Sequence, residues 1–241
     1  MRHILTSLIH LIVIGAALMS FTHFSLMTNV LHLAIGYLFA VIGLSVGLHK
    51  YFTHSSFKTN IFAHYFLMII STIVTLGSHI EWAAVHRKHH RFSETKDDPH
   101  SPKYHGYKVF FIYLLAPFMK HLKDVEPKYA GKLIRDKDLV FVHNYYHLLI
   151  ALYIIILLAI DPYLIFPLYI FPVFSSIYGL GLSIVAVHLN GKVQNNMLVH
   201  ILTGGEGIHE FHHKYPSSHE KMGLSGIIIK LLRSKQYARS T

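Results

Sequence analysis

Ile4–Leu26 reads ILTSLIHLIVIGAALMSFTHFSL, 23 residues without a single Asp, Glu, Lys or Arg. A helix that crosses a bilayer needs about 20 mostly apolar residues, because each residue rises about 1.5 Å and the hydrocarbon core is about 30 Å thick. The segment meets that length. Val30–Leu48 meets it again after a turn around Thr28 and Asn29 that carries no charge, so the pair reads as a hairpin that leaves and returns. Tyr145–Ile160 and Tyr163–Leu189 flank Asp161-Pro162 and form a second hairpin. Pro167 and Pro172 break the start of its return arm, which puts the regular span at Phe174–Leu189. Met1-Arg2 before an apolar run also resembles a signal peptide, but no small-residue cleavage site precedes a soluble segment, so the run is a first span.

A fifth apolar run, Ile61–Leu76, is short and contains His64. It lies between histidine clusters that a single crossing would put on opposite faces, so it is expected in the interface or as a re-entrant helix. The fold expectation is an all-α polytopic membrane protein. Its four transmembrane helices lie near 4–26, 30–48, 145–160 and 163–189. One domain covers 1–241, and a helical cap formed by 86–138 and 191–241 holds a di-metal centre on the cytoplasmic side, where both termini lie. No internal repeat, low-complexity tract or linker marks a second domain.

Composition agrees with a membrane protein. Hydrophobic residues make up 52% of the chain and Asp, Glu, Lys and Arg only 14%, against about a quarter in globular proteins. The net charge of +10 does not indicate nucleic acid, because no Lys or Arg occurs between His3 and His49 or between Asp138 and Gly191. Basic residues confined to the loops are the signature of topology and of contact with anionic headgroups. The absence of cysteine excludes disulfides, iron–sulfur clusters and thiolate sites, so any metal is held by nitrogen or oxygen. The 22 histidines are the supply.

Those histidines are patterned. HRKHH (His86–His90) and HEFHH (His209–His213) each put imidazoles at i, i+3 and i+4, one helical face, so both triplets can converge on one pocket. HKYFTH places His49 and His54 five apart where the second span ends; five residues turn an α-helix by about 140°, so the two share a centre only if the helix ends or bends between them. Eight imidazoles exceed what one metal accepts, which implies two metals. Neutral imidazole suits iron, copper, nickel and zinc alike. Glu206, Asp98 and Glu94 are candidates to fix imidazole tautomers by accepting hydrogen bonds, or else to form ordinary salt bridges of the cap. Trp82 lines a channel or anchors at the interface. Arg87 and Lys88 read as a solvated face, and His10, His23, His121 and His143 as structural or interfacial.

GLHKYFTHSSF (Gly47–Phe57), WAAVHRKHHRFSETKDDPHSP (Trp82–Pro102) and NNMLVHILTGGEGIHEFHHKYP (Asn195–Pro216) resemble, in order and spacing, the three histidine boxes of the membrane fatty acid desaturases. The likeness runs from about Gly47 to Pro216 and is greatest to compact bacterial and acyl-lipid members. It implies a centre of two iron ions (Fe2+/Fe3+) that uses O2 and two electrons to remove two hydrogens from a saturated acyl chain. The implied ligands are His49, His54, His86, His89, His90, His209, His212 and His213. A ninth is His188 of VAVHLNG, at the end of the last span. Two positions depart from the pattern: Ile184 stands where the family carries a water-holding asparagine, and Glu210 where relatives carry Asn. The implied partners are a fatty acyl substrate on CoA, acyl carrier protein or a lipid, O2, membrane lipids, and a separate electron donor such as a ferredoxin or a cytochrome b5-like protein. The implied location is a bacterial inner membrane.

Three other chemistries compete. Glu210 makes HEFHH formally H-E-x-x-H, a zinc-protease motif, but that leaves the six other histidines of the three boxes idle. A non-catalytic metal-binding or transport protein would keep its ligands within the spans. A di-iron membrane lipid hydroxylase shares the first C–H cleavage and is the nearest rival; the FSET and DPHSP context favours desaturation.

Overall fold

The computed structural model describes residues 2–119, 122 and 126–234; His121 lies outside them. Among the described residues the protein is all-α, with no strand beyond an isolated bridge between Thr59 and Arg233. Four helical runs are long and apolar enough to cross a membrane: α1 (Arg2–His23), α2 (Leu26–Thr53), α7 (Lys137–Ile160) and α8 (Pro162–Gly191). The shorter elements are α3 (Ile61–Ile73), α4 (His79–Phe92), α5 (Tyr107–Phe118, a succession of short turns), α6 (Pro127–Arg135), α9 (Met197–Leu202), α10 (His209–Lys214) and α11 (Gly223–Leu232). Side chains along α1 and α7 such as Ile12, Met19, Ile155 and Ile160 are more than half exposed. An apolar surface of that extent is tolerated in lipid and not in water; this is a membrane protein.

The first hairpin turns earlier than the sequence suggests, at Phe24 and Ser25. Ser25 caps α2 by accepting from the Thr28 N–H at 3.1 Å. The buried Asn29 amide donates to the Ser20, Phe24 and Ser25 carbonyls, which ties the turn to the end of α1. The start of α8 is irregular, as its prolines imply, without being interrupted: Pro167 and Pro172 each fall in the first turn of a new winding, 3-10 to π to α, and regular α-helix runs over Phe171–Val185. At 28 and 30 residues, α2 and α8 span about 40 Å or more, about 10 Å beyond the hydrocarbon core. Their protruding ends carry His49 and His188. α3, at 13 residues, reaches only about 20 Å.

α2 and α3 pack closely because Gly47 lacks a side chain; a Cβ there would sit 2.0 Å from Ser71 Oγ. The main core joins α1, α2, α5, α7 and α8 through Val13, Leu44, Ile112, Tyr146 and Phe171. Beneath the cap a second core gathers Val46, Phe52, Leu67, Ile80, Leu139 and Ile229.

α4 begins with a capping box: Ser78 Oγ accepts from the Glu81 N–H and Glu81 Oε2 accepts from the Ser78 N–H. Arg87 is no solvated residue. Its guanidinium donates to the Thr53 carbonyl at 2.6 Å and to the Ala130 carbonyl, clamping the end of α2 to α6. His79, the first residue of α4, is 1% exposed with neither ring nitrogen hydrogen-bonded, packed against Phe52. Burial, and then the His64 charge, lowers its pKa to about 3, against 6.5 in the unfolded chain. Between those values the unfolded chain takes up a proton that the folded one refuses, so stability falls as pH falls from 6.5 toward 3, by up to about 1.4 kcal/mol per pH unit. Melting temperatures of wild type and His79→Phe, recorded in detergent from neutral to acid pH, should show the shallower acid slope in the variant.

Candidate metal centre

The sequence places histidines at the ends of α2 and α8 and along α4 and α10, and the fold brings all four elements to one point at the edge of the apolar bundle. The imidazoles gather in two clusters: His49, His54, His86, His90 and His212 in one, His89, His188, His209 and His213 in the other, each with its ligand atoms within 4.8 Å of one another. Each triplet is therefore divided between two pockets. On α4 the i, i+4 pair His86 and His90 enters the first cluster and His89 the second; on α10 the pair His209 and His213 enters the second and His212 the first.

His49 and His54 share a cluster, as expected of a helix that ends between them: α2 stops at Thr53, and His54 is its C-cap. Val41–Thr53 winds as a π-helix, and the His54 N–H donates to the His49 carbonyl at 3.1 Å. In that i to i+5 winding, residues five apart lie one above the other, and such winding recurs at functional sites.

Neighbouring Nε2 atoms are 2.8 Å apart for His49 and His212, 3.0 Å for His54 and His86, 3.0 Å for His86 and His90, and 2.9 Å for His90 and His212. In the second cluster the separations are 2.9 Å for His188 and His209, 3.1 Å for His209 and His213, and 3.2 Å for His89 and His213. A metal–nitrogen bond of about 2.1 Å puts ligands at right angles about 3.0 Å apart and tetrahedral ones about 3.4 Å apart. The spacings fit right-angled nitrogen ligands around one ion per cluster.

Three carboxylates fix the tautomers. The Nδ1–H of His49 donates to Glu206 (2.9 Å), that of His89 to Asp98 (2.9 Å) and that of His188 to Glu94 (2.6 Å), leaving each Nε2 lone pair directed inward. Glu94 reaches His188 from a left-handed backbone, φ 61°. Burial first, and then mutual repulsion among the rings, holds His54, His86, His89, His209 and His212 well below the usual imidazole range, with His90 at about 2 and His213 at about 3. Neutral rings are what a metal requires as donors. Burial pushes the Asp98 carboxyl up to about 7, opposed by hydrogen bonds from the His100 and Glu94 backbone. Asp98→Ala removes the acceptor that orients His89, and metal affinity measured by chelator competition should fall about 10- to 100-fold.

Several residues differ from their reading in the sequence. Trp82 is no interfacial anchor: it is 3% exposed and stacks on His86 at 4.7 Å. Glu210 faces away from the clusters, where its N–H donates to Asn195 Oδ1 and its carboxylate accepts from Asn195 Nδ2, so it is not placed to act on water between His209 and His213. Asn196 caps α9 by accepting from the Val199 N–H. Two neighbours of the clusters escaped the sequence reading. His100 stacks on His89 at 4.1 Å, with the DPH triplet as its one signal. Lys50, buried beside His49, donates to the Pro216 and Ser218 carbonyls and shares a hydrogen bond with His212 Nδ1 at 2.8 Å; its signal is a charge at the end of an apolar run.

The clusters border an apolar cavity whose other walls include Leu44, Trp82, Leu180 and Ile184. Metal positions beside an apolar chamber suit oxidation of a hydrocarbon with water excluded.

No family model matches the sequence. Among curated proteins, the chain is 30% identical over 203 residues to stearoyl-CoA desaturase of Sus scrofa, covering 75% of this chain and 55% of the relative. It is 29% identical over 194 residues to sn-1 stearoyl-lipid 9-desaturase of Synechocystis sp., covering 73% and 58%. It is 34% identical over 125 residues to hex-5-enoyl acyl-carrier-protein acetylenase of Moorena producens, covering 48% and 39%. The chain spans about half the length of the curated relatives it matches.

Proposed function

We propose, from the premise that this chain belongs to the fatty acid desaturase family, that it is an O2-dependent di-iron enzyme introducing a cis double bond into a saturated fatty acyl chain. The observation that carries the reading is the pair of imidazole clusters beside one apolar cavity at the end of the membrane helices. Iron supplies the O2 chemistry when bound: per turnover the acyl chain loses two hydrogens, and O2, with two electrons and two protons from outside, leaves as two waters. The nine histidines hold the two ions, and Glu206, Asp98 and Glu94 keep the proton on the Nδ1 that faces away from them. Leu44, Leu180 and Ile184 line the passage for the alkyl chain and exclude water.

The same reading takes residues 1–241 as a single domain in a bacterial inner membrane, with the termini and the site on the cytoplasmic side. A wider cavity beside Arg2, Glu81 and His143 receives the polar end of the acyl group, whether carried on CoA, acyl carrier protein or a lipid. Electrons come from a separate acidic carrier, of ferredoxin or cytochrome b5-like kind, docking on the basic cap; reduction rates should fall with rising salt.

Expression in a host and fatty acid analysis by mass test the function. A new species lighter by about 2 Da than its saturated parent is the expected product, and one heavier by about 16 Da indicates hydroxylation instead. Neither species appearing in membranes that contain the metal-loaded protein and a reductant would refute both.

A further inference from the structure

Three cavities meet at one side chain. The wide one beside Arg2, Glu81 and His143 has a volume of about 400 Å³. The chamber against the imidazoles has about 40 Å³, and a third pocket of about 10 Å³ lies beside His10, Leu76 and Ile177. Among the described residues, the first and second share only Val85 and Tyr113, and the second and third only Ile112, Tyr113 and Leu180, so of these Tyr113 alone borders all three. Its ring is buried on α5 and packs over Gly77, with Cε1 3.5 Å from where a Cβ would stand.

We propose that Tyr113 is the specificity-determining wall of the acyl path. Resting on the desaturase reading above, this assigns to Tyr113 the division between the wide cavity, the metal chamber and the third pocket, and hence which chain lengths reach the metal positions. An unbranched alkyl chain offers no polar handle, so selection among lengths depends on where the path is blocked, and a single methylene at such a wall changes selection about tenfold or more. Volume drops about tenfold from the wide cavity to the chamber, and the phenol of Tyr113 stands at that step. Ile112 and Leu180 border only the chamber and the third pocket, and Val85 only the wide cavity and the chamber.

Wild type, Tyr113→Ala and Tyr113→Trp are compared in two measurements. The first is the chain-length distribution of unsaturated products in the expression host, normalised to metal content. The second is thermal stabilisation of purified, metal-loaded protein, without reductant, by saturated fatty acids of graded length, from lauric to arachidic. In Tyr113→Ala, discrimination between acids two methylenes apart should fall about tenfold in both measurements; in Tyr113→Trp the preferred length should shorten. Wild-type length profiles in both variants would overturn the assignment, and if the alanine variant does not accumulate, a wild-type profile in Tyr113→Trp alone does so. A length preference that shifts in the binding series although wild type forms no unsaturated product would reject the desaturase reading while leaving Tyr113 as the wall.

Discussion

His212→Ala and His89→Ala should each abolish the unsaturated product of the proposed desaturation, and each should leave one metal position filled. His212 belongs to the five-imidazole cluster and His89 to the four-imidazole cluster, so the two variants remove a ligand from different ions. Loss of an orienting neighbour of a ligand already costs about 10- to 100-fold in metal affinity or activity. Loss of the ligand itself should therefore reduce product at least 100-fold. Metal content measured on purified protein should fall from about two to about one ion per chain in each single variant and to about none in the double variant. The two single variants falling together to none would mean that the clusters bind only as a unit. Product persisting in both would reject the assignment of these histidines.

Gly205→Ala should be nearly as damaging without touching a ligand. Gly205 has φ +144°, a conformation that residues with side chains rarely adopt, and a Cβ there would lie 1.9 Å from the Met222 carbonyl oxygen. That contact is backbone to backbone, so one strand of the loop must move. Backbone strain and overpacking together cost about 2 to 6 kcal/mol, a large share of a typical stability of about 5 to 15 kcal/mol. The displaced loop carries Glu206, which orients His49, so the five-imidazole cluster should loosen as well. A melting temperature lowered by many degrees together with reduced metal retention is the expected result. Gly15→Ala is the control: a Cβ there meets nothing within 4 Å, and stability should change by about 1 kcal/mol or less.

The membrane helices were legible because crossing a bilayer imposes a length and a composition that Ile4–Leu26 states in its residues alone. The exact turn was not, because the Ser25 cap and the three bonds of Asn29 outweigh the apolar pattern locally. The histidine positions were legible as i, i+3, i+4 faces, but their division was not. Whether His89 joins His90 or His188 depends on where α8 ends relative to α4, which no local spacing encodes. The end of the helix between His49 and His54 was legible in HKYFTH, but its winding was not: the angle of about 140° holds for an α-helix, and the winding there is π. Arg87 read as solvated because its partners are backbone carbonyls of α2 and α6, which any sequence supplies and none advertises. Tyr113 was invisible for the same kind of reason, since a wall exists only once three cavities have formed around it.

Metal analysis of the purified, active protein, combined with X-ray absorption at the iron edge, tests the central claim most directly. Two irons per chain, surrounded by nitrogen and oxygen scatterers at about 2.1 Å with no sulfur, is the predicted result. A single zinc per chain in fully active material would contradict it.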